Sequence, residues 1–287
     1  MSGGTPAGVP GATWVLLRGL TREAGHWGPF PRQMAQVLEA SQGAVRVLTP
    51  DLPGNGVRHR ERSPTDIADM VEDLRRQVRE AGVVGPVHVL ALSLGGMVAA
   101  EWAQRYPGEL ACAVLVSTSM KPFSPFFRRL RPTNYLRLVS MSLLRFAARW
   151  RERHVLQLTS QLMNTSDEVL DAWVRLHREH PVSGANVLRQ LWAAMRYRAS
   201  RARPRVPMLL LCGQGDMLVD WRCSQAVSRG WGLPLRMHTR AGHDIPLDDP
   251  DWVLRAVRDW LDKREFMNGG ATQPMELETV PMPMPMS

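Results

Sequence analysis

The chain is short of several things that would each point to a different kind of protein. It has only three cysteines in 287 residues, Cys112, Cys212 and Cys223. An odd, sparse set suits reduced thiols better than a disulfide framework. Two of the three sit inside apolar runs like core residues, and their spacing matches no metal site. Hydrophobic residues make up 44% of the chain, yet no apolar run is long enough to cross a membrane as a helix. The first residues, MSGGTPAGVPGA, have neither a charged leader region nor an apolar one, which argues against a secretory signal and for a cytoplasmic protein. There is no aromatic RNA-binding motif, no zinc finger and no basic helical repeat, so nucleic acid is not an expected partner.

Charge is present in excess, and it is unevenly placed. The net charge is +9. Between Lys121 and Arg201 there are 15 Lys/Arg against 5 Asp/Glu, a local balance of 15 − 5 = +10. The remainder of the chain is therefore close to neutral. That same stretch carries helical periodicity and no strand signal. Its face with Arg128, Arg129 and Arg131 is either a solvated surface or a place where anionic groups are met. The apolar Leu136, Val139, Leu143, Leu144 and Phe146 either pack onto the core or line an acyl pocket.

On either side of this stretch, short β-branched runs alternate with helical ones. TWVLLRG, AVRVL, VHVLAL, CAVLVSTS, VPMLLLCG and LRMHTRAG read as strands. Their apolar residues are continuous rather than alternating, the signature of a parallel sheet covered on both faces. The expected organisation is a disordered segment over 1–12, an α/β core over 13–120 and 202–262, a helical insertion over 121–201 and a disordered Pro/Met-rich tail over 263–287. Length and composition leave the oligomeric state open.

In an open parallel sheet the site lies beyond the carboxyl ends of the strands. Three polar residues fall there in the order Ser93, Asp216, His243. A serine hydroxyl is a poor nucleophile. It needs an imidazole to take its proton and a carboxylate to hold that imidazole and stabilise its cation. Ser93 lies in ALSLGG, between a strand-like run and a helix-like one, where a sharp turn demands small neighbours such as Ala91 and Gly95. Asp220, four residues after Asp216, is the rival acid.

These motifs together resemble the α/β-hydrolase superfamily over roughly residues 13–262. ALSLGG is similar to the nucleophile elbow, DLPGNG to the loop after the second strand, GQGDMLVD to the acid loop and AGHDIPLDDP to the histidine loop. The insertion stands where the family carries its cap. Two positions depart from the family pattern: Ala91 replaces the usual glycine, and Arg18 the usual histidine before Gly19. The resemblance implies an oxyanion hole from the N–H groups of Leu20 and Leu94 and a place for His26 and Trp27 beside the substrate. It implies hydrolysis of a carboxylic ester or thioester with no metal and no organic cofactor. An acyltransferase, a perhydrolase or haloperoxidase-like enzyme, and a non-catalytic hydrolase-like binding protein remain as alternatives. Asp51 is expected to support its own loop through backbone hydrogen bonds.

Overall fold

The computed structural model describes residues 11–134 and 148–269, with side chains up to 264. Six parallel strands form one sheet in the order β2-β1-β3-β4-β5-β6. They are β1 (Ala12–Leu17), β2 (Val45–Leu48), β3 (Val87–Leu92), β4 (Leu110–Val116), β5 (Met208–Gly213) and β6 (Leu235–His238). The α/β-hydrolase fold and the parallel sheet expected from the continuous apolar runs are both present.

The continuity of those runs has a simple cause. Successive strand residues point to opposite faces, and both faces are covered. Val15, Leu17, Val89, Ala91, Ala113, Leu115 and Leu210 pack with helices α2 (Ile67–Glu80), α3 (Leu94–Arg105) and, further along, a helix over Arg222–Trp231. Trp14, Leu16, Leu90, Val114, Val116, Leu209 and Leu211 face the other way, onto α1 (Phe30–Gln42) and the long C-terminal helix Pro250–Gly269. Strand β1 begins at Ala12, inside the stretch expected to be disordered, and the last helix runs to Gly269, past the expected boundary at 262. Pro250 opens that helix.

Between β4 and β5 the chain leaves the sheet. Here lie α4 (Phe126–Arg129), α5 (Ala148–Thr159), α6 (Asp167–Glu179) and α7 (Gly184–Arg196). Ser166 and Ser183 cap α6 and α7 by accepting the N–H of Val169 and Asn186, as expected of serine at an N-cap. Leu156, Leu170, Trp173 and Val174 give α5 and α6 a small apolar cluster of their own. Residues Leu136, Val139, Leu143, Leu144 and Phe146 lie outside the described part. After β5 come α8 (Arg222–Trp231), α9 (Ile245–Asp248) and α10 (Pro250–Gly269). Helix α8 was not anticipated. It is short and mostly polar, and its clearest sequence sign is Gly232, which ends it in the left-handed conformation.

The sheet order fixes where a site can form. From β1 the chain steps outward to β2 and then returns to place β3 on the other side of β1. The direction of winding reverses between β1 and β3, and a crevice opens beyond their carboxyl ends. Gly19 and Leu20 follow β1, and Ser93 follows β3.

Candidate active site

Ser93 is the hinge between β3 and α3, with φ 57° and ψ −112°. Positive φ is unusual for any residue but glycine, so the surroundings must hold it. The Ser93 N–H donates to the Val116 carbonyl at 2.9 Å, and its own carbonyl accepts the Thr118 hydroxyl at 2.9 Å. Its side chain makes no capping bond to α3, which leaves the hydroxyl outside the helix's own bonding.

The small neighbours are explained by close approach. A Cβ on Gly95 would lie 2.8 Å from the carbonyl oxygens of both Leu17 and Arg18, and one on Gly96 would lie 2.8 Å from the Thr118 side chain. On the other side, a Cβ on Gly19 would meet the Ser93 Cβ at 3.2 Å. The loop after β1 is thus pressed against the elbow. Leu94 is the first residue of α3, where an N–H has no partner within the helix, and among the described residues the Leu20 N–H is not taken up by any turn or side-chain bond. Ala91, with no exposed surface, sits mid-sheet opposite Leu17 and Leu115.

Asp216 and His243 meet. Asp216 Oδ2 lies 2.7 Å from His243 Nδ1, and both side chains are buried. The other carboxylate oxygen accepts the N–H groups of Leu218 and Val219 at 2.8 and 2.9 Å. This fixes the carboxylate and turns it to the imidazole. Asp220 does something else. It accepts the Arg222 N–H at 2.9 Å, just ahead of helix α8.

The loop that carries His243 is anchored on both sides. Buried Asp248 accepts the Gly242 N–H at 2.6 Å, the Gln161 N–H at 3.0 Å, the Leu162 N–H at 3.1 Å and the Ser160 hydroxyl. Asp244 donates its N–H to the Thr159 carbonyl at 2.8 Å. The end of α5 is therefore tied to both neighbours of the histidine.

Arg18, the departure from the family pattern, has a partner in this same loop. Its Nη1 and Nη2 donate to the two oxygens of Asp244 at 3.2 and 2.5 Å, with both side chains buried. The guanidinium also lies over the Trp27 ring, 4.6 Å from its centroid. A buried guanidinium requires such a fork-to-fork match. The pair spans from the loop beside Ser93 to the residue after His243. It brings the two ends of the site together across the tips of the strands.

His26 and Trp27 lie beneath the loop after β1 and are both buried. Trp27 stacks on Phe30 at 5.6 Å and belongs to the apolar layer of α1 and α10. His26 Nδ1 accepts the Glu23 N–H at 3.2 Å, and Arg22 Nη1 lies 2.8 Å from its Nε2. Burial, then the nearby Arg22 and Arg18, hold the His26 pKa well below the ordinary histidine value. Asp51 accepts the N–H groups of Ala24 and Val57 at 2.8 and 3.1 Å, supporting its loop as expected, and burial raises its pKa.

The insertion reaches these loops through further polar groups. Gln190 of α7 accepts the Thr21 N–H at 2.9 Å and donates to Asn55 Oδ1 at 2.7 Å and to Ser63 Oγ at 3.0 Å. Arg22 donates to the buried Glu152 of α5 at 2.7 Å, and His180 lies 2.7 Å from Glu23. Sequence reasoning missed Gln190, Glu152, Asp248 and the Arg18–Asp244 match. Only Arg18 gave a signal, as a charge at the end of an otherwise apolar strand. Among the described residues no cluster of His, Cys, Asp or Glu has the makings of a metal site, and no helix is long and apolar enough to cross a membrane.

Comparison with known proteins bears on the family and the fold. The putative carbamate hydrolase RutD of Cronobacter turicensis is 30% identical over 252 residues, which is 85% of this chain and 89% of the relative. Among solved structures, a thermophilic esterase from Thermogutta terrifontis superposes with a TM-score of 0.63 at 23% identity, covering 88% of this chain and 90% of its own. The putative non-heme bromoperoxidase BpoC of Mycobacterium tuberculosis does so with a TM-score of 0.67 at 20% identity, covering 88% and 92%. At these identities the two structures speak to the fold alone. The profile of the alpha/beta hydrolase family matches residues 14–256, and the chain belongs to that family.

Proposed function

We propose that this hydrolase cleaves a carboxylic ester or thioester of a small molecule through an acyl-enzyme on Ser93. The observation that carries the reading is the buried Asp216–His243 contact of 2.7 Å at the same end of the sheet as the strained Ser93. His243 takes the Ser93 proton as the hydroxyl attacks the carbonyl carbon. The N–H groups of Leu20 and Leu94 receive the oxyanion, a contribution of about 3 kcal/mol per donor to lowering the barrier. The tetrahedral adduct collapses, and His243 gives its proton to the departing alcohol or thiol. Water, deprotonated by the same imidazole, then releases the acid and restores Ser93. Asp216 holds the ring throughout.

A carbamate is the second reading, and RutD, 30% identical over 85% of this chain, favours it. Ser93 would then carry a carbamoyl group by the same steps. The test is kcat/KM on p-nitrophenyl esters of rising acyl length, beside a p-nitrophenyl carbamate, for the wild type and Ser93→Ala. Loss of about 10⁵-fold or more in the variant is expected. Turnover that survives Ser93→Ala would refute the acyl-enzyme. A carbamate preferred over every ester would move the substrate to the second reading. An acyltransferase would show itself as product partitioning to an added alcohol or thiol in preference to water.

A further inference from the structure

Helix α7 is inverted. Its inner stripe, Asn186, Gln190 and Ala193, is buried and rich in amides. Its outer stripe, at the same spacing, is Leu188, Trp192 and Met195, exposed by 68%, 48% and 53%. A surface helix ordinarily turns its apolar stripe inward. Next to it, Arg129 of α4 donates to the Ala194 carbonyl at 2.6 Å, which docks α4 beside the carboxyl half of α7. Helix α4 exposes Phe126 and Phe127, packed edge to face. Five large apolar side chains are thus exposed on two neighbouring helices of the insertion, and exposed apolar groups gathered in one region mark interaction sites.

The charge around them is mostly positive: Glu61, beside Leu188, is paired with Arg58, and Asp220, whose N–H donates to the Arg128 carbonyl, is largely covered. Residues 121–134 and 181–205, which frame this face, hold 10 Lys/Arg (4 + 6) and no Asp or Glu. Arg128, Arg196 and Arg198 are exposed, and the Arg196 guanidinium lies 5.7 Å from the Trp192 ring centroid. We propose that the outer face of α4 and α7 docks onto an anionic lipid surface. Aromatic and aliphatic tips among arginines, with the neighbouring Glu61 already held by Arg58, suit the headgroup boundary of such a bilayer. An acidic protein would satisfy the arginines too. However, anchors in protein interfaces seat in shaped pockets, and side chains as exposed as Phe126 and Met195 have little wall around them. A fluid bilayer needs none. This inference goes beyond the proposed chemistry, and its test does not depend on turnover.

The experiment is flotation of the full-length protein with vesicles of equimolar phosphatidylglycerol and phosphatidylcholine, beside vesicles of phosphatidylcholine alone, at low and high salt. Binding to the anionic vesicles should exceed binding to the neutral ones by about tenfold or more and should fall at high salt. The pair Phe126→Ser with Trp192→Ser should cut binding about tenfold or more, and Arg196→Gln with Arg198→Gln about fivefold per residue. Unchanged melting temperatures and far-ultraviolet circular dichroism show that these variants keep the fold. Equal binding to both vesicle types would overturn the proposal, as would unaltered binding by the Phe126/Trp192 variant. Association with polyglutamate but with neither vesicle would overturn it in favour of an acidic protein.

Discussion

The two faces of the sheet and the seam beneath the insertion are built on different principles. The faces are closed by Leu, Val, Ala, Met and Trp side chains with almost no polar atom among them. The seam is closed by buried ions and amides: Arg18 with Asp244, Arg22 with Glu152, Glu23 with His180, Gln190 with Thr21, Asn55 and Ser63. Apolar burial is strong but has no direction. A buried ion pair stabilises little in net terms, but it accepts only one geometry. The contrast suggests that the faces hold the protein folded while the seam sets the loops of the site in place.

The largest effect expected separates two neighbouring carboxylates. Asp216→Asn should lower kcat/KM by about 10⁴-fold, while Asp220→Asn leaves it nearly unchanged and lowers only the melting temperature. Similar losses in both would mean that the imidazole is held by something other than Asp216.

Next is the Arg18–Asp244 pair. Arg18→Met alone strands a buried carboxylate and should cost about 3–5 kcal/mol in urea unfolding. The double variant Arg18→Met/Asp244→Leu should recover most of that stability without recovering kcat. Recovery of both would show that the pair does not position the site. The core offers the opposite pattern. Leu90→Ala should cost about 2–5 kcal/mol, with kcat per folded molecule unaltered. A kcat that falls in step with stability there would erase the distinction between face and seam.

Gln190→Leu leaves the Thr21 N–H and Asn55 Oδ1 without their partner, at a cost of about 1–3 kcal/mol. KM should rise more than kcat falls.

The smallest effect is in pH. Burial and two guanidinium groups lower the folded His26 pKa from 6.5. Below that value the unfolded chain takes a proton that the folded one refuses, so stability falls as pH falls through the unfolded pKa. Glu23, raised by burial from 4.5, works in the other direction above that pH. The readout is therefore the difference between wild type and His26→Gln, whose melting temperature should decline less on acidification from pH 6.5. Identical slopes would show that His26 carries no such linkage.

The strands were legible because VHVLAL and VPMLLLCG declare their burial within a few residues. The order of Ser93, Asp216 and His243 was legible because each follows such a run. Asp216 is preferred to Asp220 because it comes first after the run VPMLLLCG; in the structure Asp216 lies against His243, while Asp220 accepts the Arg222 N–H. Arg18 and Asp244 are 226 positions apart, and nothing local to either names the other. Gln190 reads as one more polar residue on an amphipathic helix until its contacts with Thr21 and Asn55 appear. Helix α8 went unread because its apolar residues are few and its stop signal is a single glycine. Sequence pattern speaks for burial within one element, whereas the seam is made wholly between elements.

The tight contact at Gly95 has a consequence for how such an enzyme can change. Even an alanine there would crowd two backbone carbonyls that no rotamer change can move aside. The elbow and the loop after β1 are locked to one another, so neither can drift without the other. A laboratory selection for new substrates should find no viable codon at 95 besides glycine. Its productive changes should collect instead in the helical insertion, away from Gln190 and Glu152, which hold the loop after β1.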